Sequence, residues 1–194
     1  MATRLPYPQD HATHLPFLIG IGASFTIRSV FEFGSGLYST PLFLNQKAYP
    51  NVASMVTIEP DSSWAQKVLE TIGSDDRIQF VISDEHHLPE KYDLVFVDNG
   101  PEQHKIQTIR NMAELLRDPA IIVVHDAEHA PYRAEIDKFQ TKFVSEKYNP
   151  GTAICANSYA SVVADLFRGI ERIIEQNYHL AVTDVQSWIE VFRG

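Results

Sequence analysis

The sequence has a single cysteine, Cys155, among 194 residues. That excludes an internal disulfide and any multi-thiolate zinc site, and it fits a reducing compartment. No run approaches the roughly 18 consecutive apolar residues of a membrane span. Residues 1–10 hold two prolines and one Arg where a secretory signal would carry an apolar core. A cytoplasmic protein that does not engage a membrane is the expectation. Positive charge is scarce too, with 16 Lys and Arg against 25 Asp and Glu, a net charge of −9. Phosphate contacts need clustered basic side chains, so a dedicated nucleic-acid binder is excluded. What is present is globular: 44% of residues are hydrophobic and 11% aromatic, and the length suits one domain over 1–194.

Short apolar runs alternate with amphipathic stretches, the pattern of a parallel α/β sheet covered on both faces. Strands are expected at 29–33, 53–58, 78–82, 92–97 and 120–124, and the turn Asn149-Pro150-Gly151 joins 143–148 to 152–156 as an antiparallel pair. The resulting sheet has seven strands and is mostly parallel. Ser39 or Thr40 is expected to cap a helix opened by Pro41, and Ser63 with Gln66 to form a capping box. Tyr132, Ile136, Phe139 and Phe143 keep the spacing of one helical face. Residues 10–26 read as helix or irregular cover, 160–176 as a helix, and Asp184 as the cap of a last short one. Gly20-Ile21-Gly22 lacks the acid and the following helix of a ligand loop, and reads as a helix end or a close-packed segment.

Five strands finish in polar or glycine clusters: Gly34/Gly36, Glu59, Asp84, Asp98 and His125/Asp126. In an open parallel sheet such ends share one edge, where ligands bind. Any one of these residues also serves as a helix cap; the set together favours a site. The segment Glu32-Phe33-Gly34-Ser35-Gly36 ends a strand and precedes a helix, so its glycines let backbone approach a ligand closely. A dinucleotide fingerprint needs a third glycine where Ser39 stands, and Glu32 would repel a pyrophosphate. An NAD-type oxidoreductase is therefore disfavoured, and a cationic or amino-bearing ligand is favoured.

Glu-x-Gly-x-Gly after the first strand, Glu59 after the second, Ser83-Asp84 after the third and Val97-Asp98-Asn99 after the fourth resemble the class I S-adenosylmethionine-dependent methyltransferases. The resemblance spans about residues 28–157 and implies a Rossmann-like three-layer α/β/α sandwich. It implies a cofactor loop of Gly34, Ser35, Gly36 and Ser39, with Glu59 on the ribose hydroxyls and Asp84 or Glu85 near the adenine amino group. It also implies Glu32 or Asp98 toward the cofactor's amino group or sulfonium. Asp98-Asn99-Gly100 with His104, then His125-Asp126, is similar to members acting on sugars and other small molecules. Many of those are O-methyltransferases, and some use a divalent metal. Two departures stand out: Arg117-Asp118-Pro119-Ala120 replaces the usual Pro-Gly-Gly, and Pro101-Glu102-Gln103 intervenes before His104. Residues 1–27 and 158–194 would cap the core or form a homodimer face.

The chemistry after the fifth strand has three readings. His125, Asp126 or His129 supplies a base for a hydroxyl acceptor. Asp98 and Asp126 hold Mg²⁺, which prefers oxygen ligands. Or His125 packs against a helix and Asp126 caps it. His11 and His14 read as a helix surface or a metal pair, and Cys155 has no nucleophile context. A module that binds the cofactor without chemistry is the alternative to an enzyme.

Overall fold

The apolar runs become strands buried on both faces, as helices on either side of a parallel sheet require. The computed structural model describes residues 9–83, 92–115, 120–145, 148–156 and 161–194. Its strands are β1 (Ser29–Phe33), β2 (Ser54–Ile58), β3 (Ile78–Val81), β4 (Leu94–Val97), β5 (Ile121–His125), β6 (Thr141–Ser145) and β7 (Thr152–Ala156). They form one sheet in the order β3-β2-β1-β4-β5-β7-β6. Pairing is parallel from β3 through β5, and β7 runs antiparallel to both β5 and β6. The expected seven-stranded sheet with its antiparallel C-terminal pair is present.

Seven α-helices flank it among the described residues: α1 (Leu15–Ser24), α2 (Ser39–Leu44), α3 (Ser62–Ile72), α4 (Glu102–Leu115), α5 (Ala130–Ile136), α6 (Ser161–Gln176) and α7 (Val185–Arg193). None is long and apolar enough to cross a membrane. Side chains alternate along β1, so Val30 enters a core shared with α1, α2, α6 and α7. Phe31 and Phe33 enter a second core with Ile109 and Met112 of α4 and Tyr132 and Ile136 of α5. These two cores and the sheet between them make the three-layer sandwich.

The two terminal segments build one of its layers. Leu15 to Ile21 are all buried, and α1 lies against α6 and α7. A Cβ on Gly20 would come within 2.8 Å of Ile170 and Phe192, and one on Gly22 within 2.6 Å of the Ala48 carbonyl oxygen. This glycine pair therefore serves close packing.

Local boundaries differ from expectation in three places. Helix α3 is capped by Asp61, whose carboxylate accepts from the Ser63 and Trp64 amides, while Gln66 bonds Glu70 instead of closing a capping box. Helix α2 begins at Ser39 without a side-chain cap, because the Ser39 and Thr40 hydroxyls are drawn to Glu32. Helix α5 stops at Ile136 and β6 starts at Thr141, so the strand expected from 143 begins two residues earlier and Phe143 belongs to it, not to the helical face of Tyr132 and Ile136. Thr141, Phe143 and Val144 favour extended backbone, and sheet pairing overrides the helical spacing of the aromatics.

Candidate functional site

The chain reverses strand order between β1 and β4, and a crevice opens at the carboxyl ends of these strands, where open α/β sheets place ligands. A cavity of about 690 Å³ lies there, lined by Gly34, Gly36, Glu59, Trp64 and Asp98 among others. That is within the roughly 300–1,000 Å³ of small-molecule sites. Gly34 holds φ +82° and donates its amide to the Ile58 carbonyl at 2.9 Å. A Cβ there would lie 2.5 Å from the Asp98 carbonyl oxygen, so only glycine lets the β1 and β4 ends meet. Ser35 is clamped from two sides. Its amide and hydroxyl donate to Glu59 Oε2 at 3.0 and 3.1 Å, and its carbonyl accepts from Trp64 Nε1 at 2.7 Å. Glu59 Oε1 accepts the Asp61 amide at 3.0 Å. Glu59 lines the cavity with its carboxylate held from behind.

Glu32 lies elsewhere than the resemblance implies. It shares the buried row of β1 with Val30, is 0% exposed and does not reach the cavity lining. Its carboxylate accepts from Ser39 Oγ (2.6 Å), Thr40 Oγ1 (2.7 Å) and Thr57 Oγ1 (2.6 Å), and Thr40 Oγ1 accepts the Gly36 amide at 3.0 Å. Glu32 thus braces the glycine loop from beneath. Burial raises its pKa to about 7, and the three hydroxyl donors only partly oppose that. Because the folded pKa is raised, native protein holds an extra proton between about pH 4.5 and 7, and the associated stability is lost as pH rises through 7. Glu32→Gln is expected to remove this component. Melting temperatures of both proteins between pH 5 and 8 test it; parallel curves would refute the assignment.

A second cluster joins β4, β5 and α4. Lys105 of α4 is 1% exposed, and its ammonium donates to Asp98 Oδ1 at 3.1 Å and Asp126 Oδ2 at 2.7 Å. It also lies 5.0 Å from the Tyr132 ring centroid. His125 Nδ1 lies 3.2 Å from Asp98 Oδ1, and Nε2 lies 2.9 Å from Thr13 Oγ1. Since Thr13 Oγ1 donates to the Pro150 carbonyl at 2.8 Å, it accepts from His125, which assigns a proton to Nε2. Asp126 adopts φ +58°, an uncommon backbone state for a residue with a side chain.

The charges in this cluster reinforce one another. Burial alone would raise the Asp98 carboxyl, yet Lys105 and His125 hold it far below the carboxylate range. Burial would lower Lys105, but Asp98 and Asp126 raise it. Burial would also lower His125, and Asp98 outweighs this to raise it.

His14, at the start of α1, is buried at 2% exposure rather than on a helix surface. Its ring centroid is 4.8 Å from those of Phe96 and His125, and neither ring nitrogen has a hydrogen-bond partner. Burial first, then His125, lowers its pKa to about 3. It lines the cavity beside His11. Of the other expected residues, Ser35 and Ser39 line the cavity, and the exposed His129 bonds Glu102 at 2.7 Å. Asp84 and Glu85 lie outside the described residues. Trp64, Lys105 and His14 are the members of the site that sequence reasoning missed or misplaced.

No protein family and no curated protein matches the chain by sequence. Solved structures share its fold. The N-methyltransferase NodS from Bradyrhizobium japonicum WM9, in complex with S-adenosyl-L-homocysteine, has a TM-score of 0.52 at 12% identity over 74% of this chain and 83% of its own. An O-methyltransferase from Bacillus cereus, also in complex with S-adenosylhomocysteine, gives 0.54 at 18% identity over 80% and 83%. Spermidine synthase from Thermotoga maritima gives 0.54 at 12% identity over 80% and 61%. The chain therefore has the Rossmann-like fold of S-adenosylmethionine-dependent methyltransferases, a fold on which methyl transfer is not the only activity.

Proposed function

We propose that the chain binds S-adenosylmethionine and transfers its methyl group to a small-molecule acceptor, with an oxygen nucleophile as the first expectation. One observation supports this most. The cavity beside the glycine loop is lined by the carboxylates of Glu59, Asp61 and Asp98, with no Lys or Arg among its described lining residues. Such a lining favours a ligand bearing sulfonium and ammonium charge and opposes the pyrophosphate of NAD. When bound, the cofactor supplies a methyl group on positively charged sulfur. Gly34 and Gly36 give the loop the clearance to approach it. Glu59, an acceptor-only group held by the Ser35 and Asp61 amides, has lone-pair capacity left for ribose hydroxyls.

The base reading of His125 loses ground on this geometry. Both its ring nitrogens are engaged, Nε2 with Thr13 and Nδ1 beside Asp98, so it holds Asp98 in place and has no free nitrogen for an acceptor's proton. This favours the second reading, a cofactor-binding module without chemistry, in which the end of β5 is purely structural. Calorimetry with S-adenosylhomocysteine against NAD tests binding, and Glu59→Ala is expected to weaken S-adenosylhomocysteine about 10- to 100-fold. Unchanged affinity in that variant would sink the ribose assignment. Transfer of labelled methyl groups across an acceptor panel separates enzyme from binder.

A further inference from the structure

Some members of the family that the sequence resembles use a divalent metal, and one reading of the sequence sets it between Asp98 and Asp126; the residues present do not fit one. The ammonium of Lys105 already bridges Asp98 Oδ1 and Asp126 Oδ2, at 3.1 and 2.7 Å. We propose that Lys105 is a resident cation standing in place of a divalent metal, so that this site works without one. The metal-exclusion claim is independent of the methyltransferase reading; its consequence for turnover rests on it.

Three observations support the substitution. The Lys105 side chain is 2% exposed, and it reaches the carboxylates from α4 with its ammonium over the Tyr132 ring. Its charge is thus held by two carboxylates and an aromatic face, and burial stops it swinging out to vacate the site. Second, Mg²⁺ needs carboxylate oxygens at about 2.0–2.1 Å in near-octahedral order. An ion seated on either oxygen would meet the ammonium head-on, like charge against like charge. Third, the alternative cation set is also taken. Ligand atoms of His14, Asp98 and His125 lie within 4.8 Å of one another. However, Asp98 Oδ1 already faces the Lys105 ammonium at 3.1 Å and His125 Nδ1 at 3.2 Å. Only His14 is unengaged.

The left-handed backbone of Asp126 fits the same picture. Its conformation costs on the order of what a non-glycine residue gives up in this region, and it delivers Oδ2 to the Lys105 ammonium. As a positioning residue, Lys105 fixes the carboxylate of Asp98, which lines the cavity.

Metal binding itself is the test. The full chain, with and without S-adenosylhomocysteine, is titrated with Mn²⁺ by electron paramagnetic resonance and with Zn²⁺ by calorimetry. Wild type is expected to show no stoichiometric site for either ion. Lys105→Ala and Lys105→Ser are expected to bind Mn²⁺ at least about tenfold more tightly than wild type, and adding Asp98→Asn to remove that gain. A purely structural lysine would not produce this gain. Lys105→Arg, which keeps the charge, is expected to stay metal-free. One stoichiometric Mn²⁺ or Zn²⁺ in wild type, lost on Asp98→Asn, would overturn the proposal. So would a Lys105→Ala protein that is folded by circular dichroism and gains no Mn²⁺. Should both small variants fail to fold, the wild-type titration decides alone. Failure of wild type to bind S-adenosylhomocysteine would refute the functional reading and leave the metal result standing. Where methyl transfer is measured, EDTA is expected not to alter the rate, and loss of turnover in EDTA restored by a divalent ion would overturn the claim for turnover.

Discussion

Gly34→Ala is expected to abolish S-adenosylhomocysteine binding and to lower the melting temperature by about 5–10 °C. Two costs coincide at this position. The φ of +82° is a region L side chains rarely adopt. The added methyl would also lie 2.5 Å from the Asp98 carbonyl oxygen and 2.8 Å from the Asn99 Cα, both of them backbone atoms. Relief requires the β1 and β4 ends to separate, and these carry the loop and Asp98 into the cavity. A destabilisation of roughly 2–4 kcal/mol follows from strain and clash together, and about 2–4 °C per kcal/mol applies to a domain of this size. Gly36→Ala is the comparison. Its methyl would meet the Ser39 hydroxyl at 2.5 Å, a side-chain atom that gives way by rotating, at the loss of one bond to Glu32. Thermal melts of both variants with and without S-adenosylhomocysteine check the order. Equal effects would show that the β1–β4 contact does not matter as argued.

A loss of stability below about pH 4.5 is the second large effect, and His14 is its source. Its folded pKa of about 3 lies below the ordinary 6.5. Unfolded chain therefore binds more protons than native chain between those values, and stability falls as pH drops through this window. The contribution is present above about pH 6.5. At about 1.4 kcal/mol per unit, it amounts to on the order of 4 kcal/mol lost by pH 3. The groups facing the ring act in both directions: His125, Lys105 and His11 deepen the shift, and Asp98 opposes it. Glu32 has the opposite sign between about pH 4.5 and 7, so the two roughly cancel above pH 4.5 and the loss from His14 stands alone below it. His14→Phe keeps an aromatic ring beside Phe96 and removes the titration. In urea unfolding at pH 7, 5 and 4, the variant is expected to gain stability relative to wild type as the pH falls. Identical slopes would exclude His14 as the source.

The strands were legible because β-branched and aromatic runs such as Ile121 to Val124 stop abruptly at polar ends, and those ends also located the crevice. The boundary between α5 and β6 was not, because Phe139 and Phe143 satisfy a helical period while the intervening residues suit a strand. Glu32 was misplaced although a signal existed. Alternation along β1 sets it in the same row as Val30, and in a sheet covered on both faces either row of the strand is buried. Lys105 and His14 had no such signal. Lys105 sits on a helix whose polar residues look like an ordinary solvated face, and only tertiary packing turns it inward. His14 meets His125 across a separation in sequence that no local pattern spans.

The layer formed by α1, α6 and α7 also sets a timetable for synthesis. Helix α1 is translated well before α6 and α7, with Leu15, Phe17, Leu18 and Ile19 destined for burial. Its packing partners on α6 and α7 follow more than a hundred residues later. At roughly 5–20 residues per second, this apolar helix waits on the order of ten to thirty seconds for its cover. The bond from Thr13 to the Pro150 carbonyl is delayed in the same way. A nascent chain of this protein thus exposes an apolar helix until α6 and α7 have been made, a stage at which that face is open to non-native contacts.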